Sequence, residues 1–216
     1  MSHQNPEEKK RRGRPLVVSA VSGGGKSTIC RRLLELYPDL GLSISHTTRP
    51  PRGRERDGVE YFFVSRPVFE RMIEAGGFVE WAEVHGELYG TSRAQLDAIL
   101  ASGRDALLDI DIQGGFQIKK LYPESWLVFV LPPSFEVLLE RLRNRATESE
   151  EKLRRRLNTA VEELRQAVRY EYFIVNDVLE EAVEDMQKVR LGQKSRQVPE
   201  KLIFELRDNI LKYLNN

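Results

Sequence analysis

Unbroken apolar runs alternate along this chain with stretches whose apolar residues recur every three or four positions. The runs at Leu16-Val17-Val18-Ser19, 106–110, 126–131 and 172–175 read as strands covered on both faces, as in a parallel sheet, because a half-exposed strand would alternate with polar residues. The periodic stretches read as helices. Ile29, Leu33, Leu36 and Tyr37 predict one that Pro38-Asp39 stops, and Phe69, Met72 and Ile73 predict one that begins at Ser65 and closes at Gly76-Gly77. Ser92 and Gln95 form a capping box ahead of Leu96, Ile99 and Leu100, with Gly103 as the stop. Val137, Leu138 and Leu142 follow Pro132-Pro133-Ser134, and further helices are expected at about 179–189 and 199–214, the latter with Leu202, Leu206, Ile210 and Leu214 on one face.

Residues 42–66 break this rhythm. Ser43-Ile44-Ser45 and Glu60-Tyr61-Phe62-Phe63 are short alternating pieces joined by a loop rich in Arg, Pro and Gly, which predicts small antiparallel strands outside the parallel core. Phe78 to Val84 adds another strand. The expected fold class is α/β, a doubly wound parallel sheet flanked by helices with a β-rich lobe inserted at 44–94. The core is then formed by 15–43 and 95–216.

Composition narrows the setting. The chain is 31% charged and 40% hydrophobic with a net charge of +1, so it has no global basic field and no nucleic-acid partner is expected. Its single cysteine, Cys30, allows no internal disulfide and no thiolate-rich metal site, and is expected as a packed side chain in a reducing, cytoplasmic setting. No apolar run is long enough to cross a bilayer, so no membrane partner is expected. Residues 1–14, with Lys9, Lys10, Arg11, Arg12 and Arg14, are expected to form a disordered basic leader.

The chemistry begins at Ala20-Val21-Ser22-Gly23-Gly24-Gly25-Lys26-Ser27-Thr28. Coming between a strand and a helix, this run resembles the phosphate loop G-x-x-x-x-G-K-[ST], with Ala20 in place of the first glycine. Glycines let backbone N–H groups turn around an oligophosphate, and the helix start adds its positive dipole end. Ser22, Gly23, Gly24, Gly25, Lys26, Ser27 and Thr28 are therefore candidates for cradling an oligophosphate, which the family resemblance given below implies to be that of ATP. Lys26 would reach the β- and γ-phosphates, and the Ser27 hydroxyl would ligate Mg²⁺.

A second constellation lies at Ser45-His46-Thr47-Thr48-Arg49-Pro50-Pro51-Arg52-Gly53-Arg54-Glu55. Two prolines stiffen the segment between Arg49 and Arg52, so two guanidinium forks suit one phosphate monoester, with the Tyr61 hydroxyl near in sequence. From this loop alone, a solvated basic turn is an equal alternative.

Taken together, these pieces resemble the guanylate kinase family of the bacterial type (ATP:GMP phosphotransferases). The matching segments are S-A-V-S-G-G-G-K-S-T, S-H-T-T-R-P-P-R-G-R-E, V-E-Y-F-F-V, F-V-E-W-A-E-V-H-G-E-L-Y-G-T-S, L-D-I-D-I-Q-G, R-L-R-N-R-A-T-E-S-E-E and I-V-N-D, in order from Leu16 to beyond Asn176. The resemblance implies a P-loop core, a GMP-binding lobe at 44–94 and a small lid at about 140–157. It implies that Arg49, Arg52 and Tyr61 grip the GMP phosphate with Ser45 and Glu55 in support, and that Glu80, Thr91 and Asp111 face the guanine edge. The resemblance also implies that Tyr89 completes the phosphate or base pocket and that Asn176 serves the adenine side. Arg141, Arg145 and Arg156 are the implied lid arginines, with Lys26 and Arg49 catalytic beside them. Asp109 would hold Mg²⁺ through water. Ala146 stands where the family usually has glycine, and Val21 replaces a common proline. The implied reaction transfers the ATP γ-phosphate to GMP by in-line displacement with lid closure, and oligomeric state is left open. Retention of Lys26, Ser27 and the three arginines argues against a binding module of the same fold that has lost catalysis, and the R-P-P-R segment with Glu80 argues against a kinase for sugar phosphates.

Overall fold

The computed structural model describes residues 11–84, 86–144, 150–194, 197 and 199–216. Nine strands and eight helices are formed by these residues. The core is a parallel five-stranded sheet in the order β2 (Leu40–Leu42), β7 (Asp105–Asp109), β1 (Pro15–Ala20), β8 (Trp126–Leu131), β9 (Tyr172–Val175). Helices cover both faces. Leu16 and Val18 point into a cluster with Ile29, Leu33, Val183 and Met186, from α1 (Lys26–Leu36) and α7 (Leu179–Arg190). Val17 points the other way, among residues of α3 (Arg93–Ala101), α4 (Ile112–Leu121), α5 (Phe135–Asn144), α6 (Glu150–Ala167) and α8 (Glu200–Leu214). That two-sided burial is why the strand runs are unbroken in apolar character.

A second, four-stranded sheet has the order β4 (Phe62–Phe63), β3 (His46–Thr47), β6 (Glu87–Ser92), β5 (Phe78–Val84). With α2 (Arg66–Glu74) it closes a small core of its own around Phe69, Phe78 and Leu88. β3 is antiparallel to β6 and β6 to β5, but β3 and β4 are parallel. The expectation of purely antiparallel strands is corrected there, because the 48–61 loop returns the chain in the same direction. Ser43-Ile44-Ser45 is not a strand; the Ser43 N–H instead donates to the Leu107 carbonyl.

Several elements were not anticipated. The Gly114-Gly115 pair masks α4 and the charge density masks α6, although α6 buries Leu153, Leu157, Ala160, Val161 and Leu164 at helical spacing. Leu36, expected to face inward, is 42% exposed. Of the expected leader, 1–10 lie outside the described residues, whereas Arg11 and the Arg14 N–H are held by the buried carboxylate of Asp105, and Gly13 N–H bonds Leu100 O. The chain is thus fastened to the core before residue 15. Among the described residues, no helix is long and apolar enough to cross a membrane.

Candidate active site

The carboxyl ends of β1 and β7 meet at one edge of the parallel sheet, where ligands of open α/β sheets sit. Ala20 is the last residue of β1, so a side chain is tolerated where the loop pattern has glycine. The loop then turns on Gly23 and Gly25, whose φ angles of 91° and 89° favour glycine. Gly25 also caps α1, and a Cβ there would run into the Asn176 amide. Asn176 is buried; its Nδ2 donates to Gly24 O at 2.8 Å and its main-chain oxygen accepts Arg141 Nη2 at 2.9 Å. The other Arg141 nitrogen, Nη1, is buried without a partner among the described residues. A cavity of about 380 Å³ opens here, lined by Gly23, Gly25, Thr28, Arg141, Asn144, Asn176, Asp177 and Leu179. Asp177 does not cap the next helix, whose N-cap is Val178.

Lys26 lies beside the loop with its ammonium 2.6 Å from Asp109 Oδ1 and donating to Ile110 O at 2.9 Å. Burial opposes its charge, but the Asp109 carboxylate outweighs burial and raises the lysine pKa. Ser27 Oγ donates to the other Asp109 oxygen at 3.0 Å. No cluster of three or more His, Cys, Asp or Glu positioned to hold a metal occurs among the described residues. A hydroxyl and one carboxylate, all hard oxygen donors, nonetheless fit Mg²⁺, which takes few protein ligands and completes its shell with phosphates and water.

On the lobe side, Arg49 is buried, and Glu55 grips its guanidinium at two points, both at 2.9 Å. This pairing, resisted by burial, raises the arginine pKa further and lowers that of Glu55. The guanidinium lies 5.3 Å from the Tyr61 ring, and Tyr61 meets Tyr89 edge-on at 6.0 Å. Ser45 is buried, whereas Arg52 is exposed, its N–H donating to Glu55 at 2.7 Å. Glu80 on β5 is buried and accepts the Thr91 hydroxyl at 2.5 Å from the neighbouring strand β6. Burial first, and then the nearby Asp111 charge, push Glu80 up to about 7 against the Thr91 hydrogen bond. Asp111 caps α4 through Gly114 N–H at 2.9 Å.

A cavity of about 200 Å³ joins the two halves, with Lys26, Asp109 and Asp111 from the core and Tyr61, Glu80 and Tyr89 from the lobe in its wall. Arg156 lies part-buried on α6, while Arg145, with Ala146, lies outside the described residues. Sequence reasoning missed three further residues. The Gln117 amide accepts from Trp81 N–H at 3.4 Å and donates to Trp81 O at 2.9 Å, fastening β5 beside Glu80. Tyr170 donates to Ser19 at 2.7 Å, and Ser19 to Ile110 O at 2.9 Å, bracing the turn that carries Asp109 and Asp111. Glu163 accepts the Ser22 N–H at 2.7 Å. Its spacing of seven from Arg156, two helical turns, was the available signal.

Residues 12–191 match the family model described as guanylate kinase. The guanylate kinase of Syntrophotalea carbinolica is 48% identical over 87% of this chain and 89% of its own length. That of Geobacter sulfurreducens is 46% identical over 87% and 92%. The crystal structure of guanylate kinase from Anaplasma phagocytophilum superposes with a TM-score of 0.70 at 34% identity, covering 92% of this chain and 97% of that one.

Proposed function

The chain belongs to the guanylate kinase family, and from that premise we propose how its residues divide the work of the reaction. The activity is ATP-dependent phosphorylation of GMP to GDP. An oxygen of the GMP phosphate attacks the γ-phosphorus of ATP, the bond to the β,γ-bridging oxygen breaks, and ADP leaves with that electron pair. The attacking oxygen is already anionic near neutrality, so no side-chain nucleophile or strong base is required. Positioning and charge stabilisation remain as the protein's task.

The donor phosphates lie on the Gly23–Gly25 turn and the start of α1, with Lys26 leaving Asp109 and Ile110 O to meet them. Arg141 brings its unpartnered Nη1 to the same anion, and Arg145 and Arg156 act with it when the lid closes. Adenine occupies the cavity beside Asn176. On the acceptor side, Arg49, Arg52, Tyr61 and Ser45 hold the GMP phosphate, with Glu55 keeping Arg49 aimed. Guanine presents N1–H and N2–H₂ side by side to Glu80, with Thr91, Asp111 and Tyr89 around it. Adenine lacks both donors and would leave the carboxylate buried and unpaired, a penalty of roughly 10⁴-fold. Ser27 and Asp109 would hold Mg²⁺, which would supply positive charge to offset that of the donor phosphates. The setting is the cytoplasm, where ATP and GMP are available.

What carries this reading is a cavity walled by both Lys26 and Glu80. Replacing Lys26 with alanine tests it: turnover measured by coupled ADP release should vanish while GMP binding by calorimetry stays near the parent value. An active Lys26→Ala enzyme would remove the donor assignment.

A further inference from the structure

The glycine loop is held at several points, and one of them comes from the lid side of the molecule. Val21 N–H donates to Val130 O at 3.3 Å, Gly24 N–H to Val21 O at 2.7 Å, and the Asn176 amide to Gly24 O at 2.8 Å. The remaining contact is Ser22 N–H to Glu163 Oε2 at 2.7 Å, across 141 residues of sequence. Glu163 sits two turns beyond Arg156 on α6, so both side chains leave the helix on the same face. We propose that Glu163 is a positioning residue for phosphoryl transfer, its carboxylate tying the Ser22 corner of the phosphate loop to α6 so that loop and lid arginine keep one register. The proposal rests on the donor assignment of that loop made above.

The physical case starts from the loop itself. A glycine-rich turn has many accessible conformations, and a donor cradle works only when its N–H groups are already aimed. Neutral hydrogen bonds hold the other points, whereas an ionised carboxylate accepts about twice as strongly. Commitment of the Ser22 N–H to α6 also makes Ser22 a structural corner of the loop and leaves phosphate contact to the residues that follow it. The groups facing Glu163 are Lys26 of α1 and Arg156 of its own helix, which favour its charge, Asp111 ahead of α4, which opposes it, and the neutral Tyr170 phenol beyond α6. Burial outweighs the favourable contacts and pushes Glu163 up to about 7. The strength of the tie therefore varies with pH around neutrality.

Glu163→Ala and Glu163→Gln separate this role from simple packing. At saturating GMP, where Glu80 is covered, Glu163→Ala should lose about tenfold or more in kcat/KM for ATP, with GMP affinity within about twofold of the parent. Glu163→Gln keeps an acceptor oxygen without the charge and should restore part of that loss, while its pH profile loses the share of the step near 7 that Glu163 supplies. The proposal is overturned by parent-like kcat/KM for ATP in Glu163→Ala, or by equal loss of ATP and GMP affinity with a matching fall in Tm. Should the alanine variant fail to fold, Glu163→Gln decides: a pH profile like the parent's overturns the idea. Lys26→Ala in parallel keeps the failures apart, since unchanged binding of a non-hydrolysable ATP analogue in that variant would indict the donor assignment instead.

Discussion

At position 80 a carboxylate is 4% exposed, accepts one hydroxyl and faces a second carboxyl group, Asp111. Those surroundings raise its pKa to about 7, so below neutrality the nucleotide-free protein holds Glu80 protonated and unable to accept two N–H donors at once. GMP affinity should therefore rise as pH climbs from 6 to 8, on top of the substrate phosphate's own ionisation near about 6. Glu80→Gln should bind GMP about tenfold to a hundredfold more weakly, with ATP affinity preserved and only the phosphate's pH dependence left. Calorimetric titration of both nucleotides at the two pH values checks this, and equal losses for ATP and GMP would refute the guanine assignment. The raised pKa also has a stability sign. A carboxyl group whose folded pKa exceeds its unfolded value favours the fold fully below the unfolded pKa, and that contribution disappears as pH rises through about 7. Bound GMP should offset the loss, because its donors stabilise the ionised form. In the sequence, Glu80 is one of 33 acidic residues, and only its place in a family segment marked it. Arg49 and Arg52 looked equivalent there, but the structure buries the first and exposes the second.

Secondary-structure elements set where those side chains can stand. β5 carries Glu80 and is held to α4 by the Gln117 amide, which satisfies both backbone groups of Trp81 as a neighbouring strand would. α4 also brings Gly114 so close that a Cβ there would lie 2.5 Å from Glu80 Oε2. Gly114→Ala should push Glu80 out of line and weaken GMP severalfold or more, with ATP binding and Tm changed far less. Loss of both nucleotides together would show that the glycine serves folding alone. α4 escaped sequence reading because glycine is a poor helix former and the adjacent pair looks like a turn. The burial of Gly114 and Gly115 under Glu80 and Tyr170 arises from tertiary approach, which periodicity cannot register. The parallel strands were legible for the opposite reason, since two-sided burial writes itself into consecutive residues such as Trp126–Leu131. α6 was hidden by its charges, although Leu153, Leu157 and Leu164 keep helical spacing beneath them.

At the scale of the whole molecule, the question is how far the lobe travels over the core. A cavity of about 590 Å³ separates α1 from the 55–61 segment, with Cys30, Leu34 and Leu42 on the core side and Glu55, Val59 and Tyr61 on the lobe side. The same lobe segment supplies Glu55 and Tyr61 to the proposed phosphate grip, so a lobe that swings onto the core when GMP binds should narrow this cavity. Cys30, the only cysteine in the chain, is a built-in reporter of that motion. It is 4% exposed, and burial followed by the Asp109 charge raises its thiol pKa well above the ordinary value. Alkylation should consequently be slow in the nucleotide-free protein and accelerate with rising pH, as thiolate forms. GMP should slow it further by narrowing the cleft, and GMP with a non-hydrolysable ATP analogue should slow it most, as in kinases whose lid and lobe close over both substrates. Intact-mass measurement of iodoacetamide uptake over time gives the rates directly. A rate that GMP leaves unchanged or increases would mean that the lobe binds its nucleotide without moving on α1, and the two halves would then have to be treated as one rigid cleft.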